Sequence, residues 1–320
     1  MAEYKAIRGH TIRTVAGDPD PLVTGDIWYS STTKKIRGAK LATGAWSSGG
    51  NVNTGGQSGG GCGLQTAAIF VGRYTNLGNL ANVELYDGTS WTESPASHGT
   101  VSREHSCTGT QTAALKFGGK PPYTGNTETW NGTSWTEVND LTTARSNMGS
   151  AGTTNTAALC VSGDANPNTV NVEEWDGSSW TEIANVNAAR TGAKGFGSTT
   201  SAVYVGGNPG IATNEEWNGT AWTEVTNINT GRGGCGANGI QTDGMIVGGN
   251  LSPHLLVEQY DGSAWTEVAD LPVVRAYDQV SAGNATTTAA VSFGGGGGAP
   301  YPVNTAEWDA AVTASSFTSS

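Results

Sequence analysis

The chain has 320 residues, a length that closed all-β architectures reach as a single unit. Charged residues make up 13% of it against about 25% in ordinary globular chains, and the formal net charge of -11 argues against a nucleic-acid surface, which needs clustered Lys and Arg. Apolar runs such as Ala67 to Val71 are far shorter than the roughly 20 residues of a membrane-spanning helix, so no membrane insertion is expected.

The first stretch, MAEYKAIRGHTIRTVAG, has scattered charges and no continuous apolar region, so synthesis in the cytoplasm without Sec-type export is expected. Residues 1–40 stand outside the pattern that organises the rest, and they hold Lys5, Arg8, Arg13, Lys34, Lys35 and Arg37 in an otherwise acidic chain. Such a segment reads either as a solvated tail or as an attachment segment that docks on a larger assembly. Alternating Ile27 and Tyr29 before a Thr-Thr-Lys-Lys turn predict a hairpin over Gly25 to Arg37, with Trp28 and Tyr29 as candidate docking residues.

From residue 41 a repeat takes over. The segments YDGTSWTE, WNGTSWTE, WDGSSWTE, WNGTAWTE and YDGSAWTE place their second aromatic at Trp91, Trp135, Trp180, Trp222 and Trp265, with spacings of 42 to 45 residues. A degenerate first copy ends at Trp46, and the last keeps only Glu307-Trp308-Asp309. Six apolar runs with the same period close near Gly72, Gly119, Gly163, Gly207, Gly249 and Gly295. Each unit parses into four short strands, and a period of this length marks a propeller whose blades cannot bury their faces alone. The fold class expected is therefore all-β, a six-bladed β-propeller of four-stranded blades.

Local chemistry supports the parse. Asp87-Gly88, Asn131-Gly132, Asp176-Gly177, Asn218-Gly219 and Asp261-Gly262 predict hairpin tips built from residues that tolerate positive φ. The aromatics flanking each tip are expected to pack between blades, with Trp46, Trp91, Trp135, Trp180, Trp222 and Trp265 as structural repeat residues rather than a glycan-stacking platform. Gly and Ala crowd the first two strands of each unit, where strands converge on an axis. A strand between Leu41 and Val52 can complete the blade whose other strands come from the C-terminus, hiding a sheet edge. Cys62, Cys107, Cys160 and Cys235 lack Cys-x-x-Cys spacing and sit at different phases of the pattern, so buried free thiols are expected, without zinc or a disulfide framework.

The diglycine after an apolar run, followed at a distance by a Trp, resembles the kelch repeat from about Leu41 to Trp308, and this implies a kelch-type propeller with a galactose oxidase-like fold. The wording NGTSWTEVNDLTTAR, from Asn131 to Arg145, resembles the kelch-like repeat proteins of bacteriophages, especially marine ones, which are virion or tail components. The segment Gly25-Asp26-Ile27-Trp28-Tyr29-Ser30-Ser31-Thr32-Thr33 is similar to one near the N-termini of phage structural proteins. Kelch proteins also include copper radical oxidases, whose ligand set requires two His and two Tyr. His10, His98, His105 and His254 are distributed wrongly for that centre, and no metal or other cofactor is expected.

No enzyme activity is expected either. Glu173 with Glu174 and Glu215 with Glu216 supply paired carboxylates, and Glu93, Glu137, Glu182, Glu224 and Glu267 recur after a Trp-Thr; the latter read as solvated strand positions, because a catalytic group usually breaks a repeat. The Asp-Gly turns lack the leading Ser of a sialidase Asp-box. Arg145, Arg190, Arg232 and Arg275 each fall ten residues after a repeat Trp, Arg103 falls twelve after its own, and the first unit has Gly56 there. Resemblance to kelch propellers implies that these five Arg could ring a channel mouth and hold anionic groups such as acidic glycans. The competing reading pairs each with a Glu to fix the register of the blades. The sequons at Asn131, Asn218 and Asn284 are expected to be unused.

The division expected is a docking segment over 1–40 and a propeller over 41–320. The leading functional expectation is a virion protein of the phage tail or its fibres, present in several copies, with virion proteins as partners of the N-terminal segment and a host-surface glycan or protein as a further ligand. A cellular kelch adaptor binding one protein partner is the alternative, and a carbohydrate-active propeller enzyme stands behind both.

Overall fold

A computed structural model describes residues 12–21, 26–41, 44–275, 280–282, 287–296, 300–310 and 312–316. The chain divides into two compact units, residues 1–44 with 310–320, and residues 45–309. Every regular element among the described residues is a strand, in seven four-stranded sheets.

The smaller unit is one sheet. Arg13–Val15 lies parallel to Ile27–Ser30, which forms a hairpin with Lys35–Leu41, and Val312–Ser316 pairs antiparallel with the far edge of Lys35–Leu41. The sequence division put residues 310–320 with the repeats; among the described residues Val312–Ser316 pairs with Lys35–Leu41. The repeat signal stops at Asp309, and the strand after it pairs outside the repeat pattern.

The larger unit holds six antiparallel four-stranded sheets in a propeller-like arrangement. Their first strands are Gly60–Leu64, Ser106–Thr110, Gly149–Thr154, Lys194–Gly197, Gly236–Ile240 and Val280–Ala282. Each first strand lies beside the next in this order, and Val280–Ala282 lies beside Gly60–Leu64. The sheet of Val280–Ala282, Ala289–Phe293 and Thr305–Asp309 takes its fourth strand from Ala45–Gly49, with Trp308 opposite Trp46. Small residues at the first strands reflect close approach: a Cβ on Gly61 would stand 2.5 Å from Val280 Cγ1, and one on Gly195 would stand 2.7 Å from the Ser150 carbonyl oxygen.

The hairpin between third and fourth strands has one geometry in the first five sheets. Tyr86 faces Trp91, and Trp130, Trp175, Trp217 and Tyr260 face Trp135, Trp180, Trp222 and Trp265 in the same register. Only the Gly of each tip adopts positive φ, 94° at Gly177. The Asp or Asn before it acts through its side chain: Asp176 Oδ1 accepts the backbone N–H groups of Ser178 and Ser179, both at 2.8 Å, and Asn131 does the same for Thr133 and Ser134. The expectation of positive φ at both residues is thus corrected, because an Asx-type bond closes the turn without it. The Ser178 hydroxyl and these N–H groups hold the Asp176 carboxyl down to about 2.

Core packing crosses from sheet to sheet. Trp180 stacks edge-on against Phe117 of the preceding sheet, with ring centroids 4.9 Å apart, and its indole N–H donates to Thr127 Oγ1 at 3.0 Å. Trp91 meets Phe293 at 4.6 Å and donates to Thr305 Oγ1. Trp91 and Trp180 thus pack between neighbouring sheets, whereas Trp46 and Trp135 are half-buried.

Candidate functional site

The feature common to most sheets is a buried carboxylate two residues before the third-strand aromatic: Glu84, Glu128, Glu173, Glu215 and Glu258, each at most 2% exposed. Each accepts backbone N–H groups from the segment entering its sheet. Glu84 accepts from Asn53 and Thr54, Glu128 from Gly99 and Thr100, Glu173 from Thr142 and Thr143, Glu215 from Asn187, and Glu258 from Asn229 and Thr230. An ionised carboxylate in a dry interior also needs a cation, and every one of the five has one.

The cation comes from different places. Arg145 Nη2 lies 2.9 Å from Glu173 Oε1, Arg190 Nη2 lies 2.6 Å from Glu215 Oε1, and Arg232 Nη1 pairs with Glu258. The second sheet has no Arg at that point, and Lys116 Nζ on its second strand lies 3.1 Å from Glu128 Oε1. The first sheet has Gly56 there, and its second strand carries a bulge between Val71 and Arg73 that brings Arg73 Nη1 to 2.6 Å from Glu84 Oε1. Arg73 also lies over the Phe70 ring, 4.0 Å from its centroid. Burial pulls the Lys116 and Arg73 pKa values down, and the facing carboxylates oppose this.

Arg275 occupies the same slot in the sixth sheet, where Ala306 stands at the glutamate position. It is 0% exposed and donates to the carbonyls of Gly294 and Asn304. Burial alone lowers its pKa to about 10, so it remains charged at neutral pH.

Of the five arginines expected at a channel mouth, four have guanidinium groups turned inward, with Arg145, Arg190, Arg232 and Arg275 at most 2% exposed. Arg145, Arg190 and Arg232 have the glutamate partners of the competing reading. Arg103 lies apart from them, with its side chain 32% exposed, Nε 3.6 Å from the neighbouring Glu104 Oε1 and the guanidinium stacked 4.6 Å from the Tyr74 ring centroid. The Glu two residues before the third-strand aromatic recurs in five of the six units and is as regular in the sequence as the arginine column, although the sequence expectations did not include it. Glu93, Glu137, Glu182, Glu224 and Glu267 are exposed.

Lys116 and Glu128 have two buried histidines for neighbours. The rings of His98 and His105 have centroids 5.7 Å apart, and His98 Nδ1 stands 4.0 Å from Glu128 Oε1. Burial and the Lys116 charge push His98 down to about 4 and His105 well below its ordinary value, so both are neutral at pH 7. His254 Nδ1 bonds the Gly249 carbonyl, and His10 lies outside the described residues. Among the described residues no group of three or more His, Cys, Asp or Glu is arranged to hold a metal ion.

The six first strands border a cavity of about 100 Å³, lined by glycines together with Cys62, His105, Cys107, Ser150, Lys194 and Asn238. In the smaller unit Trp28, expected to dock, is 1% exposed, because the alternation of the strand turns it inward while Ile27 and Tyr29 take the opposite face. Tyr29 is half-buried and pairs across the hairpin with Ile36; Ile27 and Ile36 are each 43% exposed. No protein-family model matches the chain, and no curated protein matches it.

Proposed function

We propose that residues 45–309 form a closed six-bladed kelch-type propeller and that the protein is a structural component of a bacteriophage virion, in the tail or its fibres. The observation that carries the fold is the succession of first strands returning from Val280–Ala282 to Gly60–Leu64, with Ala45–Gly49 as fourth strand of the last sheet. Pairing the earliest strand of this unit with the latest makes the ring resist opening, since the edge of Thr305–Asp309 is covered and both ends of the unit are held in one sheet.

The virion role rests on the resemblance of Asn131 to Arg145 and Gly25 to Thr33 to phage structural proteins. It is supported by an architecture in which the repeat buries its cations against carboxylates and leaves a sparsely charged, acidic polar surface. The smaller unit serves attachment to other virion proteins. Its docking face is the one bearing Ile27, Tyr29 and Ile36, since Trp28 is enclosed. The propeller surface then serves assembly or contact with a host-surface glycan or protein, and of the five arginines Arg103 is the one open to such a ligand.

An antibody raised against the recombinant propeller and used in electron microscopy of phage particles tests this reading. Labelling of the tail is expected. Absence of label on intact, partly dissociated and denatured particles overturns the virion role and favours a cellular adaptor.

A further inference from the structure

Cys62 and Cys107 face each other with sulfur atoms 3.4 Å apart. They lie on Gly60–Leu64 and Ser106–Thr110, adjacent first strands that belong to different sheets. Within those sheets Cys62 pairs with Ile69, and Cys107 with Lys116. The aromatic registers Ala68 to Tyr86 and Ala114 to Trp130 align Ile69 with Leu115, so the two cysteines are offset by one position. A shift of one residue reverses the face on which a side chain emerges. Each thiol consequently projects towards the other sheet, and the two meet in the gap between them.

Two features make this pair different from the remaining cysteines. Both thiols border the cavity at 6% and 8% exposure, as Cys235 does at 4% while Cys160 is 0% exposed, but only these two stand opposite each other across it. No ladder of hydrogen bonds fixes the separation of the two strands, so closing the sulfur distance by roughly 1.4 Å to the ~2.05 Å of a disulfide requires only a small approach of one sheet to the other. Cys160 accepts from Arg145 Nε at 3.2 Å, and Cys235 bonds the Arg232 carbonyl; among the described residues neither faces a second sulfur.

We infer that Cys62 and Cys107 form a redox-modifiable dithiol that a small peroxide entering the cavity converts into a disulfide joining the first two sheets. One thiolate attacks a peroxide oxygen, the O–O bond breaks, and a sulfenic acid and one water result once protons are taken up. The second sulfur then attacks the sulfenic sulfur, the S–S bond forms as the S–O bond breaks, and a second water leaves with the remaining thiol proton. The two sulfurs lose two electrons in all, and the peroxide gains them. Burial and the neighbouring Cys107 push the Cys62 thiol up, so the reaction accelerates as pH rises above neutral.

The test uses the full chain, reduced and desalted, then exposed to hydrogen peroxide at mildly alkaline pH. Thiols are titrated after unfolding, and proteolytic peptides are mapped by mass spectrometry without reduction. The four free thiols are expected to fall to two, with one peptide pair linked through Cys62 and Cys107 and released by dithiothreitol. The C160S/C235S variant should form the same link, and C62S or C107S should abolish it and leave a sulfenic acid that dimedone traps on the surviving partner. Far-ultraviolet circular dichroism checks that each variant is folded. Four thiols remaining free, a link to Cys160 or Cys235, or bonds only between molecules would each overturn the inference.

Discussion

The side chain of Arg73 fills the space beside Gly56, where a Cβ would stand 2.8 Å from Arg73 Cγ. Position 56 is the slot from which other sheets supply their arginine, so a residue on a different strand delivers the cation and the missing side chain makes room for it. What the unit conserves is a positive charge at the buried carboxylate, not the residue that carries it.

Removing that charge leaves Glu84 buried without its cation. Arg73→Leu should lower stability by about 3–5 kcal/mol. The additional change Glu84→Leu should restore only part of it, since it removes the buried charge but takes the acceptor from the Asn53 and Thr54 N–H groups. Urea unfolding of the single and double variants checks this, and additive losses would show that the two groups are not coupled. Gly56→Ala should also destabilise, through displacement of Arg73.

Trp180 and Trp46 occupy equivalent fourth-strand positions but differ in burial, 6% exposed for the former and half-buried for the latter. Trp180→Ala should cost about 3–5 kcal/mol because it empties a site shared with Phe117 and Thr127. Trp46→Ala should cost clearly less. Equal shifts in the unfolding midpoint would argue against packing between sheets as the role of the buried tryptophans.

His98 at about 4 lies below the ordinary histidine value near 6.5. Between these pH values the unfolded chain binds a proton that the folded one excludes, so this stability is complete above pH ~6.5 and falls as pH drops towards 4. His105 acts in the same direction. Each histidine contributes a slope of about 1.4 kcal/mol per pH unit within the window. His98→Gln should remove about half of the combined slope, measured by urea unfolding between pH 4.5 and 7.

At the turns, the acceptor oxygen matters more than the charge, because Asn131 and Asn218 make the bonds that Asp176 makes. Asp176→Asn should leave the melting temperature unchanged, and Asp176→Ala should lower it. Gly177→Ala should cost about 1–2 kcal/mol, since φ of 94° is unfavourable for a residue with a Cβ. Thermal unfolding of the three variants ranks them.

The repeat was legible in the sequence because every unit solves the same local problem with the same residues. An Asx-Gly tip, an aromatic on each side of it and an apolar run determine a hairpin and its register, and the four-stranded sheets follow from them. The clasp at Glu84, Glu128, Glu173, Glu215 and Glu258 was only half visible. Three of its cations share one column, but Lys116 and Arg73 reach the same point from the second strand, and only the spatial overlap of different positions shows that they are equivalent. The same holds for Val312–Ser316, whose sequence carries no repeat signal and whose partner is distant in the chain, and for Cys62 with Cys107, which meet because a register offset turns them towards each other. Local periodicity and turn chemistry are written in neighbouring residues, whereas charge pairing, the burial of Trp28 and the meeting of two thiols depend on where separate strands come to rest.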